Sequence, residues 1–158
     1  MIDNLKLENQ LCFPLYAASR KVISAYTPFL KPLDLTYTQY LIMLVLWEKD
    51  GRTIGDICRL LHLDNGTVTP TIKKIIDKGL INRKRNKDDD RVVEIFLTTK
   101  GKELKKRACE IPDKVICTLG LKNVNTKELY NILYEIINFE PSKEKWLCIG
   151  LWVEKFIK

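Results

Sequence analysis

The stretch from Thr53 to Thr98 most constrains how this chain folds, because it divides into two short helices and two β-rich runs. Apolar residues at helical spacing predict the first helix over Thr53–Leu61. After a tight turn, the second helix is predicted to begin near Asn65 and to end at Lys78, where Gly79 acts as a stop. The pattern therefore indicates a pair of short helices with a basic, two-stranded wing behind it.

The two β-rich runs predict a hairpin in a strongly basic setting. Leu80–Arg83 and Val92–Leu97 flank a charged loop, as the strands of a hairpin flank its tip. Residues 71–87 contain seven basic side chains against Asp77 alone. The basic residues are Lys73, Lys74, Lys78, Arg83, Lys84, Arg85 and Lys87. Because the net charge of the whole chain is only +7, this helix and loop hold most of the excess.

The second helix and the hairpin together favour DNA as the partner. The helix starts with small and polar residues that suit a major groove, namely Asn65, Gly66, Thr67, Thr69, Pro70 and Thr71. A basic hairpin beside it can reach phosphates or the minor groove. A solvated basic face without nucleic acid is the simpler alternative. Charge, helix pair and hairpin coincide, however, and this coincidence favours DNA binding.

Length and composition indicate an ordinary soluble protein that forms one compact unit or one domain with arms. The 158 residues are 46% hydrophobic and 30% charged, and the pI near 9.1 favours an anionic partner. Met1–Gln10 lacks the apolar core of a secretory signal, and no apolar run is long enough to predict a membrane span. The five cysteines form no CxxC pair, and the one histidine, His62, leaves little for a zinc site. We expect a cytoplasmic protein with reduced thiols and with neither metal nor cofactor.

The N-terminal part of the chain predicts a long helix followed by turns. The helix is expected to begin at residues 9–12 and to end at Tyr26. Pro14 lies either in its first turn or at a kink, since proline is tolerated only at the start of a helix. Thr27–Pro28 and Lys31–Pro32 are predicted turns.

Further helices predict that the chain forms a dimer. Thr36–Trp47 is apolar enough to be buried, Thr98–Gly101 opens a helix that Pro112 interrupts or restarts, and Thr126–Phe139 is amphipathic. The central unit is small, so the apolar faces of the outer helices must be buried elsewhere. Packing on each other and on a second copy is the easiest solution. We therefore expect a two-fold dimer whose second helices lie about 34 Å apart, one turn of DNA.

The tail, residues 140–158, is apolar almost all round. A lid on the dimer, a partner-binding helix and a surface anchor are three functional interpretations. A further packed helix is the plainer interpretation, and we favour it.

Five short stretches follow one another along the chain: Leu11–Arg20, Leu35–Tyr40, Met43–Glu48, Leu63–Pro70 and Asp89–Arg91. Together, in this order and at matching spacing, they resemble the MarR family of regulators and, within it, the organic-hydroperoxide sensors called OhrR. The match is densest from Leu11 to Leu97 and leaves out the tail.

The resemblance implies a mainly α fold with a small β-wing, that is, a winged helix-turn-helix dimerised through its N- and C-terminal helices. It places the helix-turn-helix at about residues 36–98 and the dimerisation helices at about residues 9–30 and 98–139. These elements form a single domain over residues 1–139, followed by the extension 140–158.

The resemblance also implies a repressor that releases a pseudo-palindromic DNA operator when an organic hydroperoxide oxidises Cys12. Tyr26 and Tyr37 match two tyrosines that hydrogen-bond this cysteine across the dimer, and Tyr16 matches a nearby aromatic residue. Arg91 matches the wing arginine of the minor groove, which Asp89 braces. The expected DNA-binding set is Asn65, Thr67, Thr69, Pro70, Lys73, Lys74, Arg83, Arg85, Asp89 and Arg91.

The chemistry expected at Cys12 is nucleophilic attack by a thiolate on a peroxide oxygen. A helix start near Cys12 and the tyrosine hydroxyls both favour negative charge on the sulfur. Apolar neighbours suit an organic oxidant, and those proposed are Phe13, Leu15, Met43 and Trp47. Oxidation gives a sulfenic acid, which a second thiol can trap as a disulfide.

The second thiol is not fixed by the sequence. Some OhrR-type members carry a partner cysteine before the last helix that links to the other subunit, and Cys117 lies at about that place. Cys109 or Cys148 can serve instead, and Cys58 is expected to be a small core residue.

Three alternatives stay open. Cys12 can be an inert, buried cysteine of an amphipathic helix. The chain can be a MarR-type repressor that a phenolic or other small ligand releases from the dimer crevice. A thiol peroxidase is the enzyme alternative, but one histidine gives no triad and no phosphate-binding glycine loop or HExxH motif is present. We therefore expect no enzyme.

Overall fold

The computed structural model describes residues 5–85, 92–121 and 124–139. Two predicted wing residues, Asp89 and Arg91, lie outside the described residues, and so does the tail from residue 140 with Cys148. The fold divides into two compact units, one ending at Gly120 and the other beginning at Leu121.

The first unit is mainly helical with a small sheet. Its helices are α1 (Cys12–Leu30), α2 (Tyr37–Glu48), α3 (Ile54–Leu61), α4 (Asn65–Asp77), α5 (Thr99–Ala108) and α6 (Ile111–Thr118). Its strands are β1 (Arg52–Thr53), β2 (Ile81–Arg85) and β3 (Val93–Leu97). The second unit contains α7 (Thr126–Ile137). The helix pair, the hairpin and the amphipathic helix near the C-terminus are thus confirmed, each to within a few residues.

Side-chain caps fix where the central helices begin. The capping residues, whose side-chain oxygens accept a backbone N–H three positions later, are Thr36, Thr53, Asp64 and Thr98. At Thr36 and Thr53 the third helical residue also accepts the N–H of the capping residue, which completes a capping box.

The sheet has the order β1-β3-β2, and both pairs of strands are antiparallel. Ile95 of β3 lies opposite Arg83 on one side and Arg52 on the other, and its side chain is fully buried. The predicted hairpin corresponds to β2 and β3. The sequence did not predict β1, because a strand of two residues has no periodicity of its own.

The prediction of a turn at Thr27–Pro28 is wrong, since α1 continues through Pro28 to Leu30. Pro28 lacks an N–H, so the helix loses one hydrogen bond there. Burial compensates for this loss because Leu30 is only 2% exposed and Phe29 packs against the core. The chain then turns as predicted in a 3-10 helix at Lys31–Leu33. Pro14 lies in the first turn of α1 and not at a kink, which is one of the two positions that the sequence left open.

The hydrophobic core lies between α2, the helix pair, the sheet and α5. Seven residues of α2 are buried, which confirms the prediction of a buried helix. In α1 only Leu30 is buried, and in α7 no residue is, among the residues that the structure describes.

Candidate functional site

The start of α4 is held by a network around Asp64. The Asp64 carboxylate accepts the Thr67 N–H at 2.7 Å and the Thr67 hydroxyl at 3.2 Å. These hydrogen bonds stabilise the carboxylate and lower its pKa below the ordinary value. The Thr71 hydroxyl donates to the Thr67 carbonyl at 2.7 Å. The first turn of α4 is therefore held in place before any partner binds.

The two faces of α4 differ sharply. Val68, Ile72 and Ile75 are buried in the core. The predicted DNA-binding residues of this helix are all exposed, namely Asn65, Thr67, Thr69, Pro70, Lys73 and Lys74. This division leaves one polar and basic face of the helix available to a partner.

A groove runs between α4 and the hairpin. Four predicted DNA-binding residues line it: Thr69, Pro70, Lys73 and Arg83. Arg85 is exposed at the end of β2, and the neighbouring Lys84 ammonium lies 5.3 Å from the centre of the Phe96 ring. The structure thus brings together basic groups that lie on separate elements, as a nucleic-acid interface requires.

Lys78 does not belong to the exposed basic groups, although the sequence counts it with them. Its ammonium donates to the Asp34 carbonyl oxygen and to Gln39 Oε1 at 3.2 Å, and it lies 3.2 Å from the Asp34 carboxylate. Lys78 therefore ties the end of α4 to the start of α2. The sequence could not show this, because Asp34 lies 44 residues away.

Cys12 is the first residue of α1, and its side chain is exposed. Leu11, the residue before it, provides no side-chain cap, the Phe13 N–H donates to the Gln10 carbonyl at 3.1 Å, and Pro14 has no N–H. The first turn therefore offers the sulfur fewer free N–H groups than the sequence leads one to expect.

Two of the apolar neighbours expected at the thiol lie elsewhere. Phe13 and Leu15 are exposed on α1 with Cys12, whereas Met43 and Trp47 are buried in the core. Of these four residues, only Phe13 and Leu15 are therefore exposed apolar side chains on the same helix as the thiol.

Tyr26 and Tyr37 form a contacting pair, with ring centroids 5.0 Å apart. Burial raises the pKa of both hydroxyls, and the nearby Tyr26 adds to the effect at Tyr37. Both side chains are therefore neutral phenols at neutral pH and can donate hydrogen bonds. Tyr26 lies fourteen positions after Cys12 on the same helix, which is about 21 Å along the axis. The two cannot meet within one protomer, so only a second copy can bring a Tyr26 to Cys12.

Tyr16 has a partner that the sequence did not single out. The Arg20 guanidinium donates to the Tyr16 hydroxyl at 2.9 Å and lies 5.6 Å from the centre of its ring. Cys12, Tyr16 and Arg20 are spaced by four residues along α1 and so share one face of the helix. That spacing is the signal that could have identified Arg20.

The other cysteines lie in different settings. Cys117 is exposed on α6, which packs against α1. Cys109 is also exposed, and its thiol donates to the Lys106 carbonyl at 3.0 Å. Cys58 is half-buried against the core, as expected, and its thiol donates to Asn65 Oδ1 at 3.2 Å.

Over residues 5–85, 92–121 and 124–139, no helix has the length and apolarity needed to cross a membrane. In the same part of the chain, no group of three or more His, Cys, Asp or Glu side chains is placed to hold a metal ion.

Sequence and structure comparisons agree with this geometry. The family model of the SarA/Rot transcriptional regulators matches residues 24–108. The organic hydroperoxide resistance transcriptional regulator of Bacillus subtilis (strain 168) is 43% identical over 85% of this chain and 92% of its own length. A helix pair, a wing and outer helices with exposed apolar faces thus occur here in a chain whose relatives are transcriptional regulators.

Two solved structures are also similar, both of AbfR, a protein known from Staphylococcus epidermidis. Reduced AbfR bound to DNA is 32% identical, with a TM-score of 0.74 over 86% of this chain and 95% of that one. Disulfide-formed AbfR is 31% identical, with a TM-score of 0.61 over 87% and 96% of the two chains. The chain belongs to the MarR-type winged helix-turn-helix transcriptional regulators, in the SarA/Rot family and the OhrR-like group.

Proposed function

We propose that the protein is a dimeric DNA-binding repressor that senses organic hydroperoxides through oxidation of Cys12 and then releases its operator. The observation that carries the sensing role is the exposure of Cys12 at the start of α1, next to exposed apolar side chains. An inert core cysteine would be buried instead. The relatives reported above are a hydroperoxide resistance regulator and a protein seen in reduced and disulfide forms.

DNA binding is assigned to the exposed face of α4 and to the hairpin. Thr69, Pro70 and Lys73 enter the major groove with α4, while Arg83 and Arg85 meet phosphates. Asn65, Thr67 and Lys74 extend the same surface. Asp89 and Arg91 complete the wing in this proposal, on the basis of the resemblance alone. A repressor of this kind acts on the chromosome in the cytoplasm and performs no catalysis of its own.

The dimer places the thiol between phenols. In the proposed arrangement, Tyr26 and Tyr37 of the partner subunit donate hydrogen bonds to the Cys12 sulfur, since the same protomer's Tyr26 lies about 21 Å away. Tyr16 closes the site from the same helix, and Arg20 holds its hydroxyl. The dimerisation surface consists of apolar side chains of α1 and α7 that are exposed in the single chain.

The proposed reaction has two steps. The Cys12 thiolate attacks the terminal peroxide oxygen, the O–O bond breaks, and the organic part leaves as an alcohol after taking up a proton. Cys12 is thereby oxidised to a sulfenic acid. A second thiol then attacks the sulfenic sulfur. This step forms a disulfide and releases water. We assign that thiol to the partner subunit's Cys117, which is exposed on α6 and lies at about the position of the partner cysteine in some OhrR-type members. Cys109, which is also exposed, is the alternative among the described residues.

The disulfide, rather than the added oxygen alone, is the proposed trigger of release. AbfR is known on DNA in its overoxidized form as well as its reduced form, and also in a disulfide form. A covalent link between subunits changes the separation of the two α4 helices, which must match about one turn of DNA.

A second candidate function rests on a cleft between the end of α1 and the start of α2. Leu30, Leu35 and Tyr37 provide its apolar and phenolic wall, and Lys31 provides positive charge, while Lys78 in the same wall is paired with Asp34. Such a cleft suits a phenolic acid, which would release DNA without any change at Cys12.

Peptide mass spectrometry on the DNA-bound protein separates these functions. After about one equivalent of cumene hydroperoxide, the proposed function predicts that free protein carries oxidised or disulfide-linked Cys12, whereas DNA-bound protein carries the free thiol. Non-reducing electrophoresis of Cys117→Ser and Cys109→Ser then identifies the second thiol. Release of DNA with an unmodified Cys12 would refute the proposal and favour the ligand.

A further inference from the structure

Aromatic rings form a continuous line from α1 into the core of the first unit. The Tyr26 ring lies 5.0 Å from Tyr37 and 5.7 Å from Tyr40, and Tyr40 meets the edge of Trp47 at 6.2 Å. Tyr40 is only 1% exposed, and burial together with the two other phenols raises its pKa to about 12. Close-packed aromatic side chains cannot move independently, because the interior has no free space beside them.

The indole of Trp47 continues this line to the first turn of α5. Its N–H donates to the Gly101 carbonyl at 2.9 Å in a buried hydrogen bond. In the opposite direction, the Lys105 ammonium donates to the Trp47 carbonyl at 2.8 Å. The end of α2 is therefore joined to both the first and the last turn of α5.

Gly101 in turn touches the junction between α4 and the wing. A methyl group on Gly101 would lie 2.1 Å from the Leu80 carbonyl oxygen, so the two backbones are in direct contact. The Thr98 hydroxyl donates to the Gly79 carbonyl at 2.8 Å and to the Leu80 carbonyl at 3.1 Å. Gly79 and Leu80 are the two residues before β2, so this junction sets the angle between the DNA-reading helix and the hairpin.

We propose that Tyr40 and Trp47 are positioning residues that transmit a displacement of Tyr26 to the junction of α4 and the wing. The inference rests on the proposed function, in which Tyr26 and Tyr37 respond to oxidation of Cys12. It deepens that function by naming the side chains through which a change at the dimer surface reaches the DNA-binding surface. Neither residue touches the peroxide or the DNA.

Two substitutions break the line at different points. Trp47→Phe keeps an aromatic ring but removes the hydrogen bond to Gly101. Tyr40→Leu removes the ring between Tyr26 and Trp47, whereas Tyr40→Phe keeps it and is the matched control at the same site. Phe29→Leu is a second control, because Phe29 packs against the same core outside this line.

The measured quantity is the ratio of DNA affinities before and after cumene hydroperoxide. The probe is a DNA duplex selected in vitro with the reduced wild-type protein. We expect Trp47→Phe and Tyr40→Leu to make this ratio about threefold to tenfold smaller than in the wild type. The two controls should leave it unchanged. A merely structural role would weaken reduced and oxidised binding alike and would leave the ratio as it is.

The double variant provides an independent check. If both residues act on one line, Tyr40→Leu with Trp47→Phe should change the ratio no more than the larger single substitution does. Trp47→Phe alone still decides the matter if Tyr40→Leu does not fold. If Trp47→Phe has the same ratio of DNA affinities before and after peroxide as the wild type, the inference is overturned and the proposed function stays intact. Failure of the wild-type protein to respond to peroxide would instead overturn the proposed function.

Discussion

The central helices and the outer helices of this protein differ in how much of their apolar surface is buried within one protomer. α2 buries seven of its twelve residues inside its own unit. In α7, Ile132, Leu133 and Ile136 remain between 36% and 51% exposed, and the first ten residues of α1 are exposed throughout. The difference teaches that one protomer is enough to build the DNA-reading unit, whereas its outer helices need a second copy.

The helix starts differ as well. α2, α3, α4 and α5 each follow a residue whose side chain accepts a backbone N–H, and α7 follows such a residue too, Asn125. α1 begins at Cys12, and Leu11 before it provides no such cap. The DNA-reading helices are thus fixed at their starts by local hydrogen bonds, whereas the helix start that carries Cys12 is not.

The largest effect is expected from a charge on the outer apolar surface. Ile136→Asp should raise the dissociation constant of the dimer by about a hundredfold or more, because each subunit loses the burial of an isoleucine. The central unit should still fold, since it does not depend on this surface. Analytical ultracentrifugation measures the association, and circular dichroism measures the fold. Asn131→Asp, on the polar side of α7, is the control; dimers of Ile136→Asp at wild-type strength would contradict the comparison.

The next effect concerns the central unit itself. Gly101→Ala should lower the free energy of unfolding by about 1–3 kcal/mol, because its methyl group would collide with the Leu80 carbonyl. Gly55→Ala is the matched control, since its methyl group would meet only Thr53 Oγ1 at 3.8 Å. In a helix this change is expected to be stabilising by up to about 1 kcal/mol. Urea unfolding of both variants is the measurement, and equal stabilities would show that the contact at Gly101 is not tight.

A smaller effect distinguishes a lysine that contacts DNA from a lysine that stabilises the fold. Lys73→Ala should reduce the slope of log affinity against log salt by about 1, because one phosphate contact is lost. Lys78→Ala should leave that slope unchanged and lower the free energy of unfolding by about 1 kcal/mol, because Asp34 loses its ion pair and Gln39 Oε1 keeps only the Thr36 N–H. DNA titrations at several salt concentrations and thermal unfolding measure the two quantities. A salt slope reduced equally by both substitutions would place Lys78 on the DNA surface after all.

The smallest effect is a pH dependence at the start of α4. Hydrogen bonds from Thr67 hold the pKa of Asp64 below its ordinary value. The ionised carboxylate therefore stabilises the folded state fully at pH values above that ordinary pKa. This contribution should fade as the pH falls through the lowered pKa. Asp64→Asn keeps a cap and should flatten the dependence, whereas Asp64→Ala should lose the cap at every pH. Midpoints of thermal unfolding, measured between about pH 6 and about pH 3, provide the test. If Asp64→Asn shows the same pH dependence as the wild type, that dependence belongs to other carboxylates.

The sequence predicts what is encoded locally and misses what depends on distant residues. The starts of α2, α3 and α4 follow from capping residues next to apolar periodicity. The length of α1 beyond Pro28 depends on the burial of Leu30, which no local pattern reveals. The strand β1 exists only through its pairing with β3.

The same limit applies to the site. Exposure of Lys73 and Arg83 follows from the periodicity of α4 and the hairpin, but the structural role of Lys78 depends on Asp34, which is distant in sequence. Tyr26 and Tyr37 were identified through the resemblance to OhrR. The contacts that connect them to Tyr40 and Trp47 required the folded core.

The central claim is that oxidation of Cys12 governs release of DNA, and fluorescence anisotropy of a labelled operator duplex tests it most directly. Reduced wild-type protein and Cys12→Ser should bind the duplex with similar affinity. On titration with cumene hydroperoxide, the wild-type anisotropy should fall to that of free DNA, while the Cys12→Ser complex should persist at the same dose. Release of Cys12→Ser at the wild-type dose would contradict the account.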